Sequence, residues 1–493
     1  MRLNDYRMSS EHDKRKWLED YKIMSGLPYF GGKAFIGKYL INRICNMAVQ
    51  MDIDGRKPDI FIDVFGGGGK MALSIPEGWF DTIVLNDINY GITSFFRCCK
   101  ECPDELIALI EKLGTVMDKD LFHILAFIRS NDGRGKLEDD YSKVVKNKDS
   151  GKETIERETR YSRYKELLFD DKIDPLLSAA ATFWVTKLDF MGITEPLRVT
   201  YNASIKDNKS DKIGKQNEKE KIANAIKFAR KHIPEICQRM RKNNIIVERL
   251  DFGELIKKYN GKPFVTIDYK DSITKEFVGK NILWYMDSPY HPSTLNNGEE
   301  APYEDTFTVE LVGKMTEIIH NDKTDEYGEI DYFIKSDYDP KASLGFAVEM
   351  LERYGSERNK LESEGVSVQD MDKETMTLTT KAKRLRTIND YLDTLEKQKT
   401  IITTPQQFCG KDLMPFHHFD CIEDNSEYID GGTKPWEQRV YFKECLGEFQ
   451  KATTNKITGE KVVGKEYIWF KGMKSSYVEK TDEKILNVLE NQN

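Results

Sequence analysis

Short apolar runs alternate with turn residues and helical patterns along the chain. The run DIFID at residues 59–63 is followed by a glycine cluster at 65–69 and by a helical stretch that opens at Lys70. Apolar residues 82–85 are followed in the same way by Asn86–Asp87 and a second helical stretch. Strands that end in turn residues and feed helices are typical of a parallel, doubly wound sheet. The pattern therefore predicts an α/β core.

The same pattern resumes in the second half of the chain. Residues 281–286 (NILWYM) predict a buried strand that ends at Asp287, and residues 332–334 predict another that ends at Ser336–Asp337. The core is therefore expected to be built from parts that lie far apart in the sequence.

The chain contains two polar, helix-prone insertions. One separates the two parts of the core, and the other follows the second part. Residues 100–244 are mainly helical by pattern, with polar linkers at Lys143–Lys152 and Lys206–Lys221. Residues 355–400 are charged and carry apolar residues at helical spacing, which predicts a helical hairpin. These apolar residues are Leu385, Ile388, Tyr391, Leu392 and Leu395.

Composition restricts the class of protein. A chain of 493 residues with 39% hydrophobic and 32% charged residues fits about two or three soluble domains. No apolar run is as long as a membrane span, and Met1–Asp20 lacks the pattern of a secretory signal, which predicts a cytoplasmic protein without membrane contact. The eight cysteines are then expected to be reduced thiols. A net charge of −8 still permits a nucleic-acid partner, because such a site needs only a local basic surface.

The glycine cluster is the first candidate for chemistry. A strand that turns through glycines lets backbone N–H groups approach a ligand closely, and an acid at the end of the next strand, Asp87, suits the hydroxyl groups of a ribose. The alternative is a glycine-rich turn beside a helix cap. A nicotinamide cofactor is not favoured, because the cluster lacks the glycine spacing of the dinucleotide motif.

A second candidate is the tetrapeptide Asp287–Tyr290 (DSPY) after the strand NILWYM. The proline restrains Ser288, so the Asp287 carboxylate and the Ser288 carbonyl can lie side by side as two acceptors for one amino group. The ring of Tyr290 is available to stack on a base that has left its duplex. The alternative is a strand-ending turn, in which Asp, Ser and Pro are ordinary residues.

Four short segments resemble, in the same order, the motifs of the Dam-type family of DNA adenine methyltransferases. They are Tyr29–Lys33 (YFGGK), Asp63–Gly69 (DVFGGGG), Asn86–Asn89 (NDIN) and the DSPY tetrapeptide, which is similar to the family's DPPY motif. Weaker similarities occur at Asp251–Phe252, Ser336–Asp337 and Glu466–Ile468. The resemblance implies an α/β, Rossmann-like S-adenosylmethionine-dependent methyltransferase sheet with a helical target-recognition insertion.

The resemblance also implies S-adenosylmethionine as the cofactor. An aromatic ring and a lysine amine suit its sulfonium and carboxylate groups, and a carboxylate suits its ribose. The glycine turn would pass beneath the cofactor. The residues implied to bind it are Tyr29, Lys33, Phe65, Gly66, Gly68, Asp87, Asp251, Phe252 and Asp287.

The implied reaction is methyl transfer to the exocyclic N6 amino group of adenine in double-stranded DNA. Asp287, Ser288, Pro289 and Tyr290 would form the catalytic motif, with a flipped target base. Ser288 replaces the proline usual in the family, and Asp63–Val64 replace its Glu-Pro. Because the contact at Ser288 is through the backbone carbonyl, the substitution is expected to be tolerated, at a lower rate if the turn is less rigid.

The resemblance divides the chain into six parts. We expect an N-terminal polar extension at 1–23, two core parts at 24–100 and 245–354, a target-recognition domain at 101–244, a helical insertion at 355–400 and a final core part at 401–493. The segment Lys187–Tyr201 is only faintly similar to the family's recognition signature. A role in restriction-modification is a hypothesis, since the sequence identifies neither a recognition site nor a partner nuclease.

Basic and metal-ligating residues are the remaining candidates. Arg239, Arg241 and Lys242 are expected to face DNA phosphates, although such runs are often merely solvated. We expect no metal, because neither cysteine group has the paired spacing of structural zinc. Those groups are Cys98, Cys99 and Cys102, and Cys409 and Cys421 with His417 and His418.

Two rival functions stay open. The same two acceptors suit the amino group of cytosine or a base in RNA, and a chain of this kind can also be a catalytically weak or silent DNA-binding homologue. Identification of the methylated base distinguishes adenine in DNA from cytosine or an RNA base. Transfer of a labelled methyl group distinguishes an active enzyme from a silent homologue.

Overall fold

A computed structural model describes much of the chain. The described residues are 1–24, 26–28, 36–129, 140–146, 153–160, 175–189, 201, 218–260, 265–266, 275–276, 281–287, 311, 314–315, 318, 330–338, 340–371, 377–403, 441–454 and 461–471. The chain divides into two compact units, of which the first covers Met1–Met286 and the second contains Thr306–Asn493.

The secondary structure alternates strands and helices. The helices are α1 (Leu3–Met8), α2 (Glu11–Asp20), α3 (Gly37–Ile53), α4 (Lys70–Ser74), α5 (Tyr90–Glu101), α6 (Pro103–Thr115), α7 (Lys119–Ile128), α8 (Pro175–Leu188), α9 (Glu218–Lys242), α10 (Phe252–Asn260), α11 (Pro340–Ser363) and α12 (Thr380–Thr403). The strands are β1 (Ile60–Asp63), β2 (Thr82–Asn86), β3 (Asp140–Lys146), β4 (Glu153–Arg160), β5 (Ile245–Glu248), β6 (Val265–Thr266), β7 (Lys275–Glu276), β8 (Ile282–Asp287), β9 (Tyr332–Tyr338), β10 (Tyr441–Thr454) and β11 (Lys461–Lys471).

The first unit contains a parallel sheet in the order β5-β2-β1-β8. Ile60 of β1 lies opposite Thr82 of β2 and Ile282 of β8. Every residue of β1 and β2 is buried, as expected of strands that are covered on both faces of a parallel sheet. The predicted α/β fold with a parallel core is confirmed.

Helices α5 to α9 form a packed group in the first unit. Helix α8 contacts α5, α6, α7 and α9, and its apolar side chains are buried almost throughout. Phe183 of α8 stacks on Phe95 of α5, with ring centroids 6.4 Å apart. An all-round apolar helix of this kind is buried in a core rather than placed at a surface.

The polar linker predicted at Lys143–Lys152 is wrong in its first part, because β3 continues to Lys146. Strands β3 and β4 pair there as an antiparallel hairpin, with Lys143 opposite Arg157. The many charged residues suggested a loop, but the threonine and valine residues between them favour strands. Helix α9 begins at Glu218, inside the second predicted linker.

The N-terminal residues form more structure than a polar extension. Helices α1 and α2 bury Tyr6 and Leu18, and both helices contact α3. Their few apolar side chains are therefore part of the core of the first unit. The domain boundaries taken from the resemblance stay predictions.

The second unit combines an antiparallel sheet with two long helices. Strand β11 pairs with β9 and with β10, antiparallel in both cases. Helices α11 and α12 cover most of residues 355–400 and pack through Tyr354, Ile388 and Leu392. Strand β9 runs to Tyr338, beyond the predicted end at Ser336–Asp337.

Among the described residues, no helix is long and apolar enough to cross a membrane.

Candidate functional site

The glycine cluster forms a tight turn between β1 and α4. Gly67 and Gly69 have φ angles of 47° and 71°, which favour glycine. The Gly66 N–H donates to Asn86 O at 2.7 Å, which holds the turn against the end of β2. A Cβ on Gly69 would lie 2.4 Å from the ring of Phe96. Glycine is therefore required both for the backbone conformation and for the close approach of α5.

The carboxylate of Asp87 is fixed beside this turn. Its Oδ2 accepts the N–H of Gly67 at 2.8 Å, and its Oδ1 accepts the N–H of Asn89 at 2.8 Å. The Asp87 N–H donates to Glu248 O of β5 at 3.3 Å. Only 8% of the residue is exposed. The structure thus brings Gly66 and Asp87, two of the residues implied to bind a cofactor, to the carboxyl edge of the sheet.

Asn86 joins the loops that follow three strands. Its Nδ2 donates to Val64 O at 2.9 Å and to Leu250 O at 3.0 Å, and its Oδ1 accepts the N–H of Leu250 at 3.0 Å. The sequence motif includes Asn86 but predicts no role for it. The sequence offered one indication of this role: Asn86 lies at the end of a strand, beside turns that contain glycine and acidic residues.

Phe65, Asp251 and Phe252 lie at the same edge. The rings of Phe65 and Phe252 are 6.1 Å apart between centroids, at an interplanar angle of 43°. Asp251 Oδ1 accepts the N–H of Gly253 at 2.9 Å at the start of α10. Phe252 is only 4% exposed, so little of its side chain is accessible to a ligand.

The segment that precedes YFGGK contacts the glycine turn. The Leu27 N–H donates to Gly68 O at 3.0 Å. Tyr29 and Lys33 lie outside the described residues.

Strand β8 carries the start of DSPY to this edge. Tyr285 of β8 lies opposite Asp63 of β1, and the Val64 N–H donates to Tyr285 O at 3.0 Å. The strand ends at Asp287. Because parallel strands end at the same side of a sheet, β8 ends on the side where the glycine turn follows β1. Ser288, Pro289 and Tyr290 lie outside the described residues.

The basic run at the end of α9 lies on the opposite side of the sheet. Arg241 donates to Lys100 O at 3.2 and 2.9 Å, and Lys242 is 3.8 Å from Glu77. Arg239 forms a hydrogen bond with Tyr21, and burial raises the pKa of Tyr21 to about 12. Since this run directly precedes β5, it lies at the amino edge, away from Asp87.

The described residues contain no group of three or more His, Cys, Asp or Glu side chains that could hold a metal. Cys98, Cys99 and Cys237 are buried thiols, and burial raises the pKa of Cys99 well above its usual range. The second predicted cluster, Cys409 with Cys421 and the two histidines, lies outside the described residues.

Comparison with known families identifies the first part of the chain. Residues 29–174 match the model of the D12 class N6 adenine-specific DNA methyltransferases. The matched range includes YFGGK, the glycine turn and Asp87, whereas Asp251 and Asp287 lie beyond it. The match confirms the resemblance to DNA adenine methyltransferases, the Rossmann-like methyltransferase fold and the class of enzyme. No curated protein matches the chain.

Proposed function

We propose that this chain, whose residues 29–174 match adenine-specific DNA methyltransferases, uses S-adenosylmethionine to methylate the N6 amino group of adenine in double-stranded DNA. The observation that carries the proposal is the Asp87 carboxylate, which the Gly67 N–H holds beside the glycine turn at a distance of 2.8 Å. Ligands of open α/β sheets bind at this carboxyl edge.

The residues around the turn fit the parts of S-adenosylmethionine. Each oxygen of Asp87 accepts a backbone N–H, which fixes the orientation of the carboxylate to which a ribose hydroxyl would donate. The Phe65 ring offers an apolar face for the adenine, with Phe252 behind it. Tyr29 and Lys33 would hold the methionine part through an aromatic face and a charge-assisted contact.

The chemistry follows from two acceptors at the end of β8. When bound, S-adenosylmethionine supplies a methyl carbon with a neutral thioether as its leaving group. The Asp287 carboxylate and the Ser288 carbonyl would accept the two hydrogens of the target amino group and direct its nitrogen lone pair toward that carbon. As the C–N bond forms and the C–S bond breaks, one proton of the amino group would pass to the Asp287 carboxylate and from there to solvent. Catalysis of this kind depends on orientation and on preorganised electrostatics.

The DNA substrate has to present its base outside the helix. An adenine inside a duplex cannot reach two acceptors at the edge of a sheet, so we propose that it flips out and stacks on Tyr290. Residues 101–244 are the proposed target-recognition domain, because they separate the cofactor-binding and catalytic parts of the sequence.

The test is transfer of a labelled methyl group from S-adenosylmethionine to DNA under single-turnover conditions, followed by base analysis. We expect N6-methyladenine as the product. Label in N4-methylcytosine, or label in RNA alone, would refute the proposed substrate. Absence of transfer together with intact binding of DNA would identify a silent homologue.

Two substitutions at the tetrapeptide connect this activity to the proposed residues. Asp287→Ala should abolish transfer and leave the fold intact, since a residue at a strand end contributes little to the core. Ser288→Pro should keep the carbonyl acceptor, stiffen the turn and retain or raise the rate. A wild-type rate in Asp287→Ala would remove Asp287 from catalysis, and loss of activity in Ser288→Pro would assign a role to the serine hydroxyl or N–H.

A further inference from the structure

Asp87 lies at the start of a loop that an arginine holds from the neighbouring strand. The loop connects β2 to α5, and within it the Asn89 N–H donates to Asp87 Oδ1 at 2.8 Å. The residue between them, Ile88, is 45% exposed, so packing of its side chain contributes little to the position of the loop. Its carbonyl instead accepts the Nε–H of Arg249 at 3.0 Å. The loop is therefore restrained by a side chain from outside it.

The guanidinium group of Arg249 also contacts the residue on the other side of Asn89. Its Cζ lies 5.0 Å from the ring centroid of Tyr90, the first residue of α5. A guanidinium ion in this position is attracted by the negative face of the aromatic ring. Arg249 thus touches both neighbours of Asn89, the residue whose N–H orients the Asp87 carboxylate.

The backbone on both sides of Arg249 is fixed by hydrogen bonds to the end of β2. The preceding residue, Glu248, accepts the Asp87 N–H at its carbonyl, at 3.3 Å. The following residue, Leu250, pairs with the side chain of Asn86 through its N–H and its carbonyl, both at 3.0 Å. Arg249 therefore links a restrained part of the sheet edge to the loop that begins at Asp87.

We propose that Arg249 is a positioning residue of the cofactor site, which holds the loop of residues 87–90 so that the Asp87 carboxylate meets the ribose hydroxyl groups of the methyl donor. The inference rests on the proposed function, in which Asp87 accepts hydrogen bonds from that ribose. The carboxylate keeps its orientation only if both of its backbone donors keep their places. One donor, the Gly67 N–H, belongs to the glycine turn, and the other, the Asn89 N–H, belongs to the loop that Arg249 restrains.

The experiment uses the full chain and two ligands that differ only in their ribose hydroxyl groups. Calorimetry measures the dissociation constants of S-adenosylhomocysteine, the thioether that remains after methyl transfer, and of its 2′,3′-dideoxy analogue. Arg249→Met removes the guanidinium group and leaves the core intact, because Arg249 is exposed.

Arg97→Met is the matched control. Arg97 of α5 also donates to a backbone carbonyl of β5, Val247 O, at 3.2 Å. Its partner is a residue of the strand, two positions before Arg249, and not a residue of the loop. The control therefore removes a comparable link between α5 and β5 without releasing the residues around Asn89.

We expect Arg249→Met to bind S-adenosylhomocysteine about fivefold more weakly, the effect of losing one hydrogen bond at an accessible site. Binding of the dideoxy analogue should stay as in the wild type, because that ligand has no ribose hydroxyl to donate to Asp87. Arg97→Met should keep the wild-type ratio of the two constants. A general loss of structure would weaken both ligands equally, so this ratio separates positioning from stability.

Wild-type affinity for S-adenosylhomocysteine in Arg249→Met would overturn the inference and leave the proposed function intact. An equal loss for both ligands in Arg249→Met, or the same change of ratio in Arg97→Met, would also overturn it. Equal binding of the two ligands by the wild type would remove Asp87 from ribose binding, and the inference with it. Failure of the wild-type chain to bind S-adenosylmethionine would instead refute the proposed function as a whole.

Discussion

At the scale of single residues, Asp87 orders the glycine turn, and it is also the proposed acceptor for the ribose of the cofactor. Asp87→Asn keeps the size of the side chain but removes its charge and places an NH2 group near a backbone donor. We expect a loss of about 1.5–3 kcal/mol in S-adenosylmethionine binding, measured by calorimetry, as for a charge-assisted hydrogen bond.

Asp81→Asn is the matched control for this substitution. Asp81 is exposed and pairs with Lys57 at 3.0 Å just before β2, at the amino edge of the sheet. This variant should bind S-adenosylmethionine like the wild type. Equal affinities in all three proteins would show that Asp87 serves only the turn.

At the scale of secondary structure, the Asn86 side chain connects the ends of β1, β2 and β5. In Asn86→Asp, one carboxylate oxygen would face the carbonyls of Val64 and Leu250, which now receive hydrogen bonds at 2.9 and 3.0 Å. Leaving buried acceptors unsatisfied costs about 1–3 kcal/mol. We therefore expect a lower free energy of unfolding in urea and weaker binding of S-adenosylmethionine.

Asn244→Asp separates the two effects of the Asn86 substitution. The Asn244 amide makes a comparable bridge at the amino edge, to Asp81 O at 3.1 Å and Thr82 Oγ1 at 2.8 Å. It should lower stability without changing cofactor affinity. If both variants lose affinity in proportion to stability, Asn86 has no specific role in the site.

The contact between α8 and α9 predicts a dependence of stability on pH. Lys187 Nζ lies 3.0 Å from the ring centroid of Phe228, and burial lowers the pKa of Lys187 from 10.5 to about 8. Between these pH values the unfolded chain holds a proton that the folded chain has released. The free energy of unfolding should therefore rise with pH across this window.

Lys187→Met removes this titration. The variant should be more stable than the wild type near pH 7 and should lack the rise above pH 8, as measured by urea unfolding. Lys227→Met, at an exposed position of α9, should keep the wild-type pH dependence. A less stable Lys187→Met would mean that the attraction of the ammonium to the Phe228 ring outweighs the cost of its burial.

Local patterns predicted the elements that build the site. Strands β1, β2 and β8 and the helices after the first two were evident, because short, mainly apolar runs ended in turn residues. The hairpin of β3 and β4 was not predicted. Its many charged residues suggested a loop, and its alternation of apolar and polar residues is weak. The burial of Tyr6 and the bridge made by Asn86 depend on contacts between distant segments, which no local pattern contains.

At the scale of the whole molecule, parallel strands collect distant residues at one edge. The resemblance placed Asp87 and Asp251 among the cofactor-binding residues, and both lie at the edge of the glycine turn because each follows a strand of one sheet. The position of the basic run could not be predicted in this way. It depends on β5, which begins directly after the run. The run therefore lies at the amino edge of the sheet, opposite Asp87.

The contribution of the basic run to stability can be tested separately from its proposed role in DNA binding. Arg241 satisfies the Lys100 carbonyl near the end of α5, and Arg239 and Lys242 contact Tyr21 and Glu77. Replacing all three with alanine should lower the free energy of unfolding in urea, whatever their relation to DNA.

Binding of DNA phosphates by the basic run is the second hypothesis, and the same triple variant tests it. The slope of log affinity against log salt should flatten by about 0.9 for each phosphate that the variant no longer neutralises. Lys57→Ala, which removes an exposed charge on the same edge, is the control for a general change in net charge. An unchanged slope in the triple variant, measured well below its unfolding temperature, would assign the run to stability alone. Because this edge lies away from Asp87, DNA that contacts both would have to extend around the first unit, so a flattened slope would also imply a long or bent binding site.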